Sequence, residues 1–200
     1  CPLTLTSNVG LTKQMTVASQ ISAHISMKDV FECISAAAEA TSFEETGEAD
    51  SRLGPVYVTV NGQPVGSMAA SDTDQFLIQF KVHRATRFAL RHLSVSTLTG
   101  HVRIRSHRGR VMRPLEVISA EDEPERAYAG VSWKQALALG WVECLDIEEE
   151  RHCFVTARDL ASGQQVVLPP RTGAAALRKP THRLIDDAAD MFSAGVAVVP

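Results

Sequence analysis

The chain has 200 residues, a formal net charge of −3, 44% hydrophobic and 22% charged residues, with 12 Gly and 9 Pro. That composition suits one large or two small globular domains and argues against wholesale disorder. No apolar run approaches the roughly 20 residues needed to span a bilayer; the longest apolar-rich stretch, Phe192 to Pro200, is half that. No basic segment followed by an apolar one marks a signal peptide, and a chain opening on Cys1 rather than Met reads as an internal piece of a longer protein. Cys1, Cys33, Cys144 and Cys153 form no C-x-x-C pair, so they read as reduced thiols of an intracellular protein.

Residues 1–26 alternate small polar and apolar positions, with a turn at Asn8-Val9-Gly10. Met27 to Ala40 predicts a helix, with Ser26 as N-cap and Val30, Ile34 and Ala37 at helical spacing. Thr41 to Leu53 is acidic and reads as a surface loop. Val56 to Val60 is β-branched and aromatic, and Asn61-Gly62 tolerates positive φ, so a hairpin closing on Gln63 to Ser67 is expected. Ser71 to His92 predicts the longest helix. Ile78, Val82, Ala85 and Ala89 are expected on one face of it, and Arg84, Arg87 and Arg91 on another.

Two strands are expected at Gly100 to Ser106 and Arg110 to Ile118, turning at Arg108-Gly109. An acidic loop follows at Ser119 to Gly130, then a short helix from Ser132 to Leu139 stopped by Gly140. Trp141 to Ile147 and Cys153 to Ala157 read as strands on either side of an acidic run. Gly163 to Lys179 reads as a loop with a short strand at Val166 to Leu168, and Ala194 to Val199 as a last strand. No internal repeat is visible.

The charge is segregated. Lys81 to Arg113 holds nine Lys/Arg, four His and no acid, whereas Glu116 to Glu150 holds ten acids against Arg126 and Lys134. Such blocks suit either docking to a polyanion or acidic partner, or two solvated faces that partly neutralise each other within the fold, which is the favoured reading. The basic block is not interleaved with aromatics as a base-stacking platform requires. Pairing of the Arg110-Val111-Met112-Arg113 turn with acidic residues such as Glu143 or Glu149 is expected from the segregation.

Phosphate-cradling glycine loops, H-E-x-x-H and G-x-S-x-G are all missing. Cys144, His152 and Cys153 do not have zinc-module spacing. Asp146 with Glu148, Glu149 and Glu150 reads as a solvated acidic turn rather than a Mg²⁺ site, because consecutive carboxylates on an extended segment point to alternate faces. Cys1 with Thr181-His182 lacks the C-terminal junction of an autoprocessing domain.

Four segments in order carry a family resemblance. They are Cys1-Pro2 with Asn8-Val9-Gly10-Leu11-Thr12-Lys13; Val56 to Gly62 through Gly66, followed by Arg103-Ile104-Arg105 to Gly109-Arg110-Val111-Met112-Arg113-Pro114-Leu115; Trp133 through Gly140 to Glu150; and Thr181 to Asp186 with Ala194 to Pro200. Together they resemble the second-largest subunit of multisubunit DNA-directed RNA polymerases, of the eukaryotic, archaeal and large-DNA-virus type. The third is the most specific, similar to W-x-x-L-x-x-G-x-V-E-Y-I-D-x-E-E-E-E. Departures fall in the first segment, where a Thr-Pro-Glu-Gly core is missing, and in the fourth, where Leu184 and Asp187 stand for the expected Glu and Pro.

The resemblance implies an α+β fold of small mixed sheets and helices with β-rich flanks. It implies three parts: residues 1–26 as the end of the fork region, 27–160 as the external domain, and 161–200 as the start of the hybrid-binding domain. It implies a nucleotidyltransferase complex that transcribes DNA into RNA with two Mg²⁺ ions bound outside this chain. The implied partners are the largest subunit, other polymerase subunits, the DNA template and the RNA–DNA hybrid, with no membrane. The implied compartment is intracellular: the nucleus in a cellular eukaryote, or host cytoplasm, nucleus or virion for a virus. No catalytic, cofactor-binding or metal-binding residue is assigned to this chain, whose implied role is scaffolding. The alternative is a non-enzymatic interaction module using the basic helix Lys81 to Arg91 to hold an acidic partner or nucleic acid.

Overall fold

The computed structural model describes residues 18–39, 41–44, 55–98, 100–118, 130–158, 165–167 and 181–184. The fold is α+β, with helices and two small sheets. The expected strand at Ala194 to Val199, the turn at Asn8 to Gly10 and most of the two acidic loops lie outside the described residues.

The first unit begins with α1, Met27–Ala38. Ser26 caps it by accepting from the Asp29 N–H, and Val30, Cys33, Ile34 and Ala37 bury one face. The expected hairpin follows as β2 (Pro55–Val60) and β3 (Gln63–Ala69). Asn61 and Gly62 both have positive φ, 50° and 87°, as a two-residue turn matched to strand twist requires. Gly66 has a packing reason: a Cβ there would lie 2.6 Å from the Glu44 carbonyl oxygen and collide with the Phe43 ring.

The second helix, α2, covers Thr73–Thr86 and is followed by a 3₁₀ turn at Phe88–Leu90. It is shorter than the expected Ser71 to His92, because Arg87 is extended and breaks the ladder. The residues beyond it form a strand the sequence reading did not identify, β4 (Ser94–Leu98), antiparallel to β5 (His101–Arg105). β5 in turn runs parallel to β2, giving the order β3-β2-β5-β4.

The buried face of α2 is not the apolar one that the sequence marks. Phe76, Phe80 and Arg84 are buried, at successive intervals of four, whereas Ile78 and Val82 are 60% and 50% exposed. The two phenylalanine rings carry more apolar area than the β-branched pair, and they stack with each other and with Phe43 inside the main core. That core also takes Val58, Val60, Leu90, Leu93, Val102 and Ile104, between the helices and one face of the sheet.

The second sheet centres on β6, Val111–Val117. β7 (Val142–Asp146) lines one edge antiparallel, while β1 (Gln20–Ile21) and β10 (His182–Arg183) share the other edge at opposite ends. β8 (Val155–Arg158) continues the sheet parallel to β10, and β9 (Gln165–Val167) closes it. This sheet therefore draws strands from all three stretches into which the sequence was divided. α3 (Trp133–Ala138) has a full capping box between Ser132 and Gln135, and Gly140 leaves it at φ 68°. α4 (Ile147–Glu150) is a single turn directly after β7, capped by Asp146.

The turn at Arg108-Gly109 thus connects two sheets rather than two strands of one. Among the described residues two small apolar clusters serve the second sheet: one around Leu115, Leu145 and Leu184, the other around Met112, Leu137 and Val142.

Candidate functional site in an ion-pair seam

Between the two units runs a row of arginine–carboxylate pairs, and it absorbs much of the segregated charge. Arg84 is the centre. Phe76 and Phe80 turn the α2 face inward, and Arg84 arrives one turn later with 4% of its side chain exposed. Its Nη1 donates to both Glu149 oxygens, at 2.8 and 2.9 Å, and to the Leu93 carbonyl at 3.0 Å. Its Nη2 lies 3.0 Å from Oε2 of Glu143. Burial opposes the charge on Arg84, but Glu149 and then Glu143 outweigh it and hold the guanidinium above its ordinary pKa.

Glu143 Oε2 is a point of convergence. Lys81 Nζ stands at 3.8 Å and His182 Nε2 at 3.6 Å, in addition to Arg84. Burial pushes this carboxyl up, but Arg84, His182 and Lys81 together bring it below the usual carboxylate range. His182 is itself buried on β10, with Nδ1 2.9 Å from the Thr181 hydroxyl. Glu149 also accepts the Val95 N–H at 3.2 Å, which ties α4 to the edge strand β4.

The second centre is Asp146. One oxygen accepts from the Glu148 and Glu149 backbone N–H groups, at 3.1 and 3.0 Å, as the N-cap of α4. The same oxygen accepts from Arg105 at 2.8 Å, and the other accepts from Arg110 at 3.0 Å. Burial raises this carboxyl, yet the backbone donors and the two arginines leave it below its ordinary value. Arg105 also reaches Glu148 at 2.9 Å, Arg113 pairs with Glu150 at 3.0 Å, and Arg183 pairs with Glu116 at 3.0 Å.

Two expectations are corrected by this geometry. The acidic run is not a solvated turn: α4 fans its carboxylates apart, Glu148 to Arg105, Glu149 to Arg84 and Glu150 to Arg113. The Arg110-to-Arg113 turn does meet acidic residues of the 143–150 segment, but its partners are Asp146 and Glu150. Glu143 and Glu149 face Arg84 instead, because the helical turn at Ile147 rotates Glu149 toward α2.

The basic helix is largely committed. Lys81 and Arg84 face Glu143 and Glu149, Arg87 pairs with Glu32 on α1 at 2.6 Å, and Arg91 lies 4.1 Å above the Phe88 ring. Arg103, Arg108 and Arg151 make no ion pair among the described residues, so the unspent cations lie away from the helix.

The remaining candidates fare differently. Cys33, Cys144 and Cys153 are free buried thiols, pushed up by burial to about 11, about 11 and about 12. A thiol so protonated at neutral pH is a poor metal ligand or nucleophile, and His152 is exposed beside them. Among the described residues no three His, Cys, Asp or Glu side chains converge as a metal site. Cys1 lies outside the described residues.

Each seam carboxylate faces at least one arginine, so the arrangement can fix the register of two sheets; that is its evident chemical capacity. Among the described residues no helix is long and apolar enough to cross a membrane. No family model matches the chain, and no curated protein matches it.

Proposed function

We propose that the chain is a scaffold segment of the second-largest subunit of a multisubunit DNA-directed RNA polymerase. One observation carries the reading: charged residues of two family-like segments pair with each other in the seam. Arg110 and Arg113 from one segment meet Asp146 and Glu150 from the other, across the paired strands β6 and β7. A motif whose charged residues pair inside the fold is what an architectural role calls for, and it gives a physical reason for that residue pattern.

In this reading the segment supplies no group to nucleotide addition. Its seam carboxylates are engaged by arginines, and the Mg²⁺ ions that support phosphoryl transfer would be held by residues outside it. Its task is to set the β6 hub so that the strand at His182–Arg183 leaves in a defined direction toward the hybrid-binding region. The partners would be the largest subunit, the remaining subunits, the DNA template and the RNA–DNA hybrid.

The test is affinity purification of the full-length gene product from its own cells. Recovery with a largest-subunit homologue and template-dependent incorporation of ribonucleotides is expected. Recovery without any such homologue overturns the reading and leaves a free-standing interaction module.

A further inference from the structure

The outer face of the first sheet and the cavity at its end form one tract. α1 and α2 cover the inner face, where Val58, Val60, Val102 and Ile104 are buried. Alternation therefore turns Tyr57, Thr59, His101, Arg103 and Arg105 outward. Tyr57 and His101 are register partners on the parallel pair β2 and β5, with ring centroids 5.6 Å apart and an interplanar angle of 36°. Arg103 follows, exposed and without an acidic partner among the described residues, then Arg105. Same-face neighbours on a strand are roughly 6–7 Å apart, comparable to the separation of successive phosphates along an extended nucleic-acid strand.

Arg105 also lines a cavity of about 290 Å³ with His107, Arg110, Asp146, Glu148 and Arg151. Arg151 is exposed and makes no ion pair among the described residues, and the same holds for Arg108 on the adjacent turn. Among the described residues of the tract five arginines face two carboxylates, and Asp146 is already saturated by two arginines and two backbone N–H groups. The local field is positive.

We infer that this tract, from the Tyr57–His101 ring pair through Arg103 to the Arg105–Arg110–Arg151 cavity, binds the backbone of a single-stranded nucleic acid, with a base against the rings. Guanidinium groups that make no ion pair among the described residues alternate there with a partly exposed ring pair, which suits unstacked bases better than the carboxylates of an acidic peptide. A duplex keeps its bases stacked and would leave the ring pair unused. Release of Glu148 from Arg105 accompanies seating of a phosphate in the cavity. The inference does not rest on the polymerase reading, which co-purification tests separately.

The experiment uses the 200-residue chain and fluorescein-labelled 20-nucleotide oligo(dT) and oligo(U), followed by anisotropy from 50 to 200 mM NaCl. Binding that weakens with salt is expected. Arg103→Gln and Arg151→Gln should each weaken it about three- to tenfold and flatten the salt slope by roughly one unit or less. His101→Ala should weaken binding while leaving the salt slope unchanged, which a purely electrostatic contact would not do. Arg87→Gln, on the helical side, should leave binding unchanged. Arg103 and Arg151 hold nothing in the fold, so their variants should melt like the parent chain. Absence of binding, binding insensitive to Arg103→Gln and Arg151→Gln, equal affinity for a duplex, or equal displacement by polyglutamate each overturns the inference, the last in favour of an acidic protein partner.

Discussion

The two sheets are held by different forces. The first packs α1 and α2 against one face and buries a continuous apolar cluster that runs from Ile25 through Phe76 and Phe80 to Ile104. Among the described residues the second has two small clusters, yet it anchors almost every buried ion pair there. Apolar burial is non-directional and tolerates small shifts, whereas a bidentate arginine pair fixes distance and orientation together. The first unit thus derives its stability from area and the second its register from charge. Arg84 belongs to both, extending the row of Phe76 and Phe80 while answering Glu143 and Glu149.

Removing that residue should separate the two regimes most sharply. Arg84→Met leaves Glu143 and Glu149 buried opposite an apolar chain, and a loss of about 3–5 kcal/mol in urea unfolding is expected. A loss below about 1 kcal/mol would mean that the seam contributes little to holding the sheets together. Gly66→Ala probes the apolar side, where the new methyl meets Phe43 and the Glu44 carbonyl. Overpacking there should cost about 1–3 kcal/mol by the same measurement. Ser132→Ala removes the α3 cap and should cost about 1 kcal/mol, visible as a lowered urea midpoint.

A more gradual effect follows from His92. Its Nδ1 accepts the Ala23 N–H at 3.0 Å, and burial, then Arg91 and Arg110, depress it from 6.5 to about 4. The unfolded imidazole takes up a proton near pH 6.5 while the folded one stays neutral. Stability is therefore full above about pH 6.5 and declines as the pH falls toward 4. His92→Asn, which keeps an acceptor near the Nδ1 position, should flatten that decline between pH 6.5 and 4; an unchanged slope would assign it to other groups. The smallest effect is expected at Arg87→Ala, which removes an exposed pair with Glu32 and should leave the urea midpoint unmoved.

Local chemistry explains which elements were legible. α1 announces itself through Ser26 and the recurrence of Val30, Ile34 and Ala37, the hairpin through Asn61-Gly62, and α3 through Ser132 and Gly140. Each signal lies within a few residues of what it specifies. α2 was readable as a helix but not as an oriented one, because Arg84 is buried for the sake of carboxylates about sixty residues later. Without that knowledge Ile78 and Val82 look like the core and Arg84 like surface. β4 was hidden for a related reason: the helical reading ran on to His92, and Val95 earns its place only against Ile104 and Glu149. Charge segregation correctly announced internal pairing but not the partners, since one helical turn at Ile147 redistributes them.

The position of β6 has a consequence for the order of events in folding. Its edge partner β1 precedes it by about ninety residues, and β10 follows it by about sixty-five. The strands and helices of the first unit have all been synthesised before β6 exists, so that unit can collapse early on the ribosome. β1 has no strand partner until then, and the hub is complete only after β10 has emerged. Such long loop closures make the second sheet the slow step, and Arg84 spends that interval buried in a finished core with its carboxylates not yet delivered.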